Sequence, residues 1–521
     1  MSLTKVGVIY NYNAILAKIG MAGMRKIRNI FTIVHIGHNN TRKQITSFKT
    51  IKDGNNHILI LPRFSGEMLK KINLVDEIKN NLPAGEDVNY NNMDVILKHN
   101  QTIVCNHLRN TIYTPDKIEN GLSSTILQMD PGYGKTYVAL GVINMIKKKT
   151  MIIVPNTYLL KQWVGILTDA FPDNTVGRYY GLKKEDGDIV VTVINSALKF
   201  PNGDYNKFGL IVYDEVHMYC SPKFAAIFTT AQSKCCLGIT ATPAERIDGF
   251  DPIAYWALGN VIRADKLEGW NPADVNFVSK VTRVQYAGHK DYTKILESVT
   301  GVVSVPLMVN QLQEDPYRNK LIVAHAIRLY QSGRNVFVFS DRREHLHTIA
   351  RMLREEKVKY EAPELVNEEK EEVEDNKNEN KEDNEENKEV KEEENVEGVN
   401  ELMGGATDAE IEHAKDVGRI IMTTYQYSGT GVSINKMNSI ILATPRKSNM
   451  CQILGRVYRL TSDQTIQRHI IDIVDSKICL KSQYYTRKKT YINNLHAEIV
   501  EKKTKWEECV NVQDIMKTIE L

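Results

Sequence analysis

The 521-residue chain is short of cysteine: it has seven, an odd number, and none lies in a C-x-x-C pair. That argues against a disulfide framework or a zinc site and fits a reducing compartment. Long apolar runs are also missing. None approaches the ~20 residues needed to cross a bilayer, and the opening Met-Ser-Leu-Thr-Lys-Val lacks a signal-peptide pattern. The expectation is a soluble, intracellular protein with no membrane partner. Aromatic residues are absent from 362–398, a tract rich in Glu, Asn and Lys. Such a tract cannot bury a core and reads as a disordered insert or a fraying helix.

Charge is unevenly spread. The whole chain carries +3, but residues 368–397 hold 16 Asp/Glu against 5 Lys, a net of −11, so the remainder carries +14. A basic body with one acidic tract suggests a polyanion partner, though a merely solubilising surface explains the charge equally well.

The length allows about two to four domains. Residues 1–88 mix short strand-like runs, such as 57–62, with basic stretches such as Arg25-Lys-Ile-Arg, and read as a small accessory domain. From 89 to 265, helical stretches alternate with apolar strands at 151–154, 189–194, 210–213 and 235–239. Short, almost unbroken apolar runs between helices predict a parallel sheet covered on both faces. A second α/β unit, 300–480, has strands at 335–339, 419–423, 439–443 and 469–473, with the acidic tract 362–398 as an insert in one of its loops. The tail, 481–521, reads as helical. Its Tyr484-Tyr-Thr-Arg-Lys-Lys start suits either a packed helix with a basic face or a nucleic-acid contact.

Chemistry is concentrated at the carboxyl ends of the strands, where such sheets bind ligands. Residues 124–140 read as strand, loop, helix, and the loop is Asp130-Pro131-Gly132-Tyr133-Gly134-Lys135-Thr136-Tyr137. Its glycines let backbone N–H groups face phosphate, and the helix start adds its positive dipole end. Lys135 is expected to neutralise the β- and γ-phosphates of ATP and Thr136 to ligate Mg2+. Met129 stands where the common pattern has Gly. Downstream, Ile211-Val-Tyr-Asp-Glu-Val-His217 puts two carboxylates at a strand end. Asp214 is expected to hold Mg2+ and Glu215 to position and activate the attacking water, since phosphoryl transfer needs placement and charge neutralisation. Thr240 and Thr242, one residue apart at another strand end, could bond this segment or simply cap a helix. Gln452, Arg456 and Arg459 are spaced to share one helix face. Their arginines could stabilise charge on a γ-phosphate, or the face could be only solvated.

These motifs, in this order, resemble a superfamily 2 DExH-type helicase or translocase over about 95–480, apart from the insert. Val154 to Trp163 resembles motif Ia, Asp214 to His217 motif II, Thr240-Ala-Thr242 motif III, Phe339-Ser-Asp-Arg motif IV, Tyr427-Ser-Gly-Thr-Gly motif V and Gln452 to Arg459 motif VI. The resemblance implies an α/β fold: two RecA-like parallel-sheet domains in tandem, beside the small N-terminal domain. It implies ATP contacts from Gln101, which fits only loosely, and from Gly431. It implies coupling through His217, Thr240 and Thr242. It implies a nucleic-acid grip by Pro155, Asn156 and Gln162, by Ser340, and by Thr424 and Thr430. Among subgroups the motifs are most similar to the poxvirus transcript-release helicase and its relatives in large DNA viruses, and share patterns with phage UvsW-type helicases. DNA is favoured over RNA as partner, with transcription machinery as a further one. The protein is expected to be monomeric and, if viral, to reside in host cytoplasm or virion. An RNA helicase and a non-catalytic nucleic-acid scaffold are the alternatives.

Overall fold

The computed structural model describes residues 2–4, 7–36, 41–53, 56–66, 69, 79–90, 93–201, 204–241, 248–272, 278–356, 398–428, 434–447, 450–458, 463, 465–476 and 478–521. The chain divides into two compact units, residues 1–276 and 277–521. Among the described residues no helix is long and apolar enough to cross a membrane. Apart from Gly398, the acidic tract lies outside the described residues.

Unit 1 opens with a five-stranded sheet in the order β5-β6-β2-β1-β7. Its strands are β1 (Ser2–Thr4), β2 (Gly7–Asn11), β5 (Lys49–Asp53), β6 (Asn56–Leu61) and β7 (Lys79–Asn80). Helix α1 (Tyr12–Ile30) follows β2, capped by the Asn11 side chain, which accepts from Ala14 N–H at 3.0 Å. A separate hairpin pairs β3 (Thr32–Ile36) with β4 (Arg42–Thr46). The rest of the unit is an eight-stranded sheet, β11-β10-β12-β9-β13-β14-β8-β15. Its strands are β8 (Ser124–Gln128), β9 (Thr150–Val154), β10 (Val176–Tyr180), β11 (Lys183–Lys184), β12 (Ile189–Val193), β13 (Leu210–Asp214), β14 (Cys235–Thr240) and β15 (Val261–Arg263). All its pairings are parallel except β10 with β11.

The central strands β9, β12 and β13 are buried along their whole length. Side chains alternate across a strand, so successive residues feed two different cores. Ile152, Val154 and Val212 pack on the face carrying α2 (His99–Thr111), α3 (Lys135–Ile146) and α4 (Thr157–Ala170). Met151, Ile153 and Ile211 face the other way, into a core shared with Val8, Tyr10, Ile27 and Leu59 of the N-terminal module. That module therefore covers one side of the large sheet. Arg63 fastens the junction: its buried guanidinium donates to the carbonyls of Gly121 at 2.8 Å, Ser233 at 2.9 Å and Lys234 at 2.7 Å.

Unit 2 is a seven-stranded, wholly parallel sheet, β18-β19-β17-β20-β21-β16-β22. Its strands are β16 (Ser279–Ala287), β17 (Val336–Ser340), β18 (Val399–Leu402), β19 (Ile420–Thr424), β20 (Ser439–Leu442), β21 (Arg468–Asp475) and β22 (Glu498–Lys505). Helices α5 (Pro316–Gln331), α6 (Arg343–Glu355), α7 (Met450–Leu454), α8 (Ile478–Asn493) and α9 (Val512–Lys517) accompany it. Two parallel α/β sheets in tandem, preceded by a small sheet module, make this a pair of RecA-like domains.

The tail departs from the expected helix. After α8 it lays β22 alongside β16 and then packs α9, through Val512, Ile515 and Met516, into the core of the second sheet. The strand was hidden by its composition: as the edge of the sheet, Glu498–Lys505 is mostly exposed and charged, which blunts pairing with other chains. The second sheet also begins at Ser279, earlier than residue 300.

Candidate functional site

The phosphate-type loop joins β8 to α3. Gly132 and Gly134 have φ of +87° and +86°, a region that costs an L side chain strain. A Cβ on Gly134 would also lie 2.3 Å from Gln101 Nε2. The loop needs glycine there for conformation and for space. Met129 is buried in the core and its N–H donates to the Thr240 carbonyl at 3.1 Å. The departure from the common pattern thus faces inward, away from the loop's concave side.

Lys135 opens α3, and its ammonium donates to the Met129 carbonyl at 3.0 Å, across the mouth of the loop. Thr136, Tyr137 and Asp130 are half-buried around the same turn. Tyr133 packs on Trp270 with ring centroids 5.1 Å apart, and its hydroxyl donates to the Pro272 carbonyl at 3.3 Å. Gln101, on α2, is buried. Its Nε2 donates to the Tyr133 carbonyl at 3.1 Å and its Oε1 accepts from Lys98 N–H at 2.9 Å. The Nε2 end braces the loop, while the Oε1 end caps the start of α2.

The carboxylates stand at the end of β13, between β9 and β14. Asp214 is buried; its Oδ2 accepts from Trp163 Nε1 at 2.8 Å and its Oδ1 from Glu215 N–H at 2.9 Å. Burial pushes its pKa up to about 7, the neighbouring Glu215 charge adds to the rise, and the Trp163 hydrogen bond and Lys135 oppose it. Glu215 adopts φ +48°, an uncommon backbone for a non-glycine residue and of the kind concentrated at functional sites. This turn sends the two side chains in different directions. Glu215 Oε2 lies 3.4 Å from His217 Nδ1 and accepts from Thr240 Oγ1 at 3.4 Å, while His217 Nδ1 and Thr240 Oγ1 are 2.7 Å apart. Glu215, His217 and Thr240 therefore form one contact triangle across β13 and β14. Thr242 lies outside the described residues.

Trp163 is the residue that sequence reasoning passed over. It stands on α4, buried, at the end of the stretch resembling motif Ia. An indole within that stretch was the available signal, but nothing in the spacing indicated that its N–H would reach Asp214.

The expected nucleic-acid contacts fare unevenly. Pro155 and Gln162 are half-buried. Asn156 caps α4, its side chain accepting from Leu159 N–H at 2.9 Å. Ser340 needs correction: it is fully buried, and its hydroxyl pairs with His345 Nδ1 at 3.1 Å and accepts from Arg342 N–H at 3.1 Å. It orders the start of α6 and is out of reach of a strand. Thr424 ends β19, half-buried, and accepts from Tyr427 N–H at 3.1 Å. Thr430, Gly431 and Arg459 lie outside the described residues. The shared helix face also needs correction. Helix α7 stops at Leu454, so half-buried Gln452 is helical while Arg456 sits beyond it in a turn and is 6% exposed. Gly455 follows the last helical residue, and glycine is a poor helix former.

Two buried arginines hold the segment leading to α7. Arg318, on α5, pairs with Asp475 at 2.8 Å and donates to the Ala443 carbonyl. Arg487, on α8, makes two hydrogen bonds to Asp472, each 2.8 Å, and donates to the Arg446 carbonyl at 2.7 Å. Both aspartates belong to β21, so one strand anchors both ends of this segment.

Residues 94–245 match the family described as type III restriction enzyme, res subunit. The African swine fever virus protein named "Putative ATP-dependent RNA helicase QP509L" (isolate Tick/Malawi/Lil 20-1/1983) is 33% identical over 384 residues, covering 70% of this chain and 68% of that protein. The mimivirus protein "Putative ATP-dependent RNA helicase L396" (Acanthamoeba polyphaga mimivirus) is 24% identical over 488 residues, 91% of this chain and 81% of its own. A shorter match, 30% over 183 residues, joins 34% of this chain to 29% of "Putative DNA 3'-5' helicase Rad25" of Halobacterium salinarum.

Proposed function

The chain belongs to the superfamily 2 helicases and is an ATP-dependent helicase of that type; from that premise we propose that it couples ATP hydrolysis to movement along DNA, gripping the phosphate backbone without reading sequence. The observation that carries the catalytic part is the contact triangle of Glu215, His217 and Thr240 beside the Lys135 loop. In this reading Lys135 neutralises the β- and γ-phosphates. Glu215 orients a water for attack on the γ-phosphorus and takes its proton as the bond to ADP breaks. Thr240 and His217 carry the change at Glu215 across the sheet toward β14.

Mg2+ fits the donor set as an ion that arrives with the nucleotide. Among the described residues no group of three or more His, Cys, Asp or Glu is arranged to hold a metal alone. Thr136 and Asp214 would complete its shell, and bound there it would neutralise charge on the transferring phosphoryl group.

The +14 charge outside the acidic tract supports a polyanionic track. DNA is our reading from the motif resemblance to the transcript-release and branch-migration helicases, in the setting of viral transcription or branched DNA. An RNA track is the second reading, favoured by the names of the two viral relatives. The deciding measurement is ATPase rate with single-stranded, duplex and branched DNA and with RNA. Stimulation by RNA alone refutes the DNA reading, and no turnover with any of them refutes the helicase site. Lys135→Ala and Glu215→Gln should each lower turnover by about a hundredfold or more while leaving the melting temperature near wild type. Wild-type turnover in either variant would overturn the role assigned to that residue.

A further inference from the structure

The N-terminal module is far more basic than the rest of the chain. Residues 1–61 contain nine Lys or Arg and one Asp, a net of +8. Among the described residues eight of the cations are exposed, six of them Arg25, Lys26 and Arg28 on α1, Arg42 and Lys43 on β4, and Lys52 on the edge strand β5. Among the described residues none of these six is paired with a carboxylate. The buried positions of α1, Gly23, Met24 and Ile27, alternate with Arg25, Lys26 and Arg28, so packing against the sheet directs the cations outward. No large aromatic side chain is exposed among the described residues of this module. Proteins that hold single strands stack bases on exposed aromatic rings. Exposed cations without such rings suit the outer phosphates of a duplex instead.

Resting on the DNA reading above, we infer that the basic face of α1, with the β3–β4 hairpin and β5, is a second DNA-binding surface that holds the backbone of double-stranded DNA without sequence readout. Its attachment decides what such a surface can do. The module shares a core with the large sheet, Phe31 packs on Trp256 at 5.2 Å, and Arg63 donates to three carbonyls of the ATP-binding domain. A duplex held there is held by the ATP-binding domain itself rather than by a loosely tethered arm.

The test uses the full chain and a labelled duplex DNA, titrated by fluorescence anisotropy at several salt concentrations. A single strand of the same sequence and an RNA duplex serve as the other arms. In one variant Arg25→Gln, Lys26→Gln, Arg28→Gln, Arg42→Gln and Lys43→Gln are combined; in a control the three arginines become lysine. The glutamine variant should bind duplex DNA roughly tenfold or more weakly, with a salt slope shallower by about 0.9 for each phosphate contact removed. The control should bind like wild type, and single-strand binding should change less than duplex binding. Unchanged duplex affinity and salt slope in the glutamine variant, with wild-type protein binding normally, overturns this surface alone. An equal loss for the single strand, or a loss confined to RNA, overturns the duplex-DNA assignment. Wild-type protein that binds none of the three would instead defeat the helicase-on-DNA reading on which this surface depends.

Discussion

The Trp163 indole sets how Asp214 meets its surroundings. A hydrogen bond to a carboxylate in a buried site favours the ionised form, whereas burial and the adjacent Glu215 favour the protonated one. Removing the donor leaves the opposing causes unchecked. Trp163→Phe keeps most of the ring's packing and deletes only the N–H. Hydrogen bonds to charged groups contribute about 1.5–3 kcal/mol, so kcat/KM should fall by roughly one to two decades. In the role proposed for it, Asp214 meets Mg2+ as the carboxylate, so activity should rise with pH through the neighbourhood of its pKa of about 7. In Trp163→Phe that rise should move to higher pH, and more Mg2+ should be needed for half-maximal rate. A pH profile of kcat/KM for both proteins decides this. A uniform fall with no change in pH or Mg2+ dependence would mean that Trp163 only fills space.

At the level of elements, the strands that were legible are those buried on both faces. Apolar runs such as 151–154 and 210–213 correspond to β9 and β13, because burial on two sides demands unbroken hydrophobicity. The glycines of the phosphate loop were legible for a similar reason: a special backbone permits few residues. What escaped was decided by tertiary contact. Gln101 was read as a nucleotide contact, and nothing local announced that its amide also holds the Tyr133 carbonyl and the Lys98 N–H. The arginine pattern of 452–459 was read as one helix, though α7 is only five residues long. Arg318 and Arg487 gave no local sign of holding the 443–446 segment, since their aspartates lie 157 and 15 residues away. The tail was misread because β22 draws its order from pairing with β16, not from its own pattern. This makes a clear expectation for truncation. Ending the chain after residue 494 removes β22 and α9, uncovering one side of β16 and the face of α5 that meets α9. The truncated protein should lose the cooperative unfolding transition of its second unit, followed by calorimetry, and should aggregate. A transition equal to that of the full chain would mean that the tail is an appendage.

Across the whole molecule, acid should act unevenly. Unit 2 contains three buried histidines, His325, His345 and His469, each with its pKa pushed down to about 3, chiefly by burial. Nearby basic groups add to this: Lys502 and His469 for His325, Arg318 for His345, and Arg334 and Lys280 for His469. His345 is hydrogen-bonded at both nitrogens, to Ser340 and to Asn319. His325 has no hydrogen-bond partner at either. The folded-state values lie below the unfolded value of about 6.5. Between those limits the unfolded chain binds protons that the folded chain excludes, so stability is full above pH about 6.5 and falls as the medium is acidified. Each histidine contributes a slope of about 1.4 kcal/mol per pH unit within that window. Because all three sit in unit 2, that unit should melt first as pH drops from about 7.5 to about 5, while the two transitions stay closer together above pH about 7. His325→Leu tests the origin. It should make the acid slope of unit 2 shallower by about one histidine's share and, by removing two unpaired nitrogens, should not lower stability at neutral pH. An unchanged acid slope in that variant would show that His325 is protonated in the folded protein, and hence that its burial is not what excludes the proton.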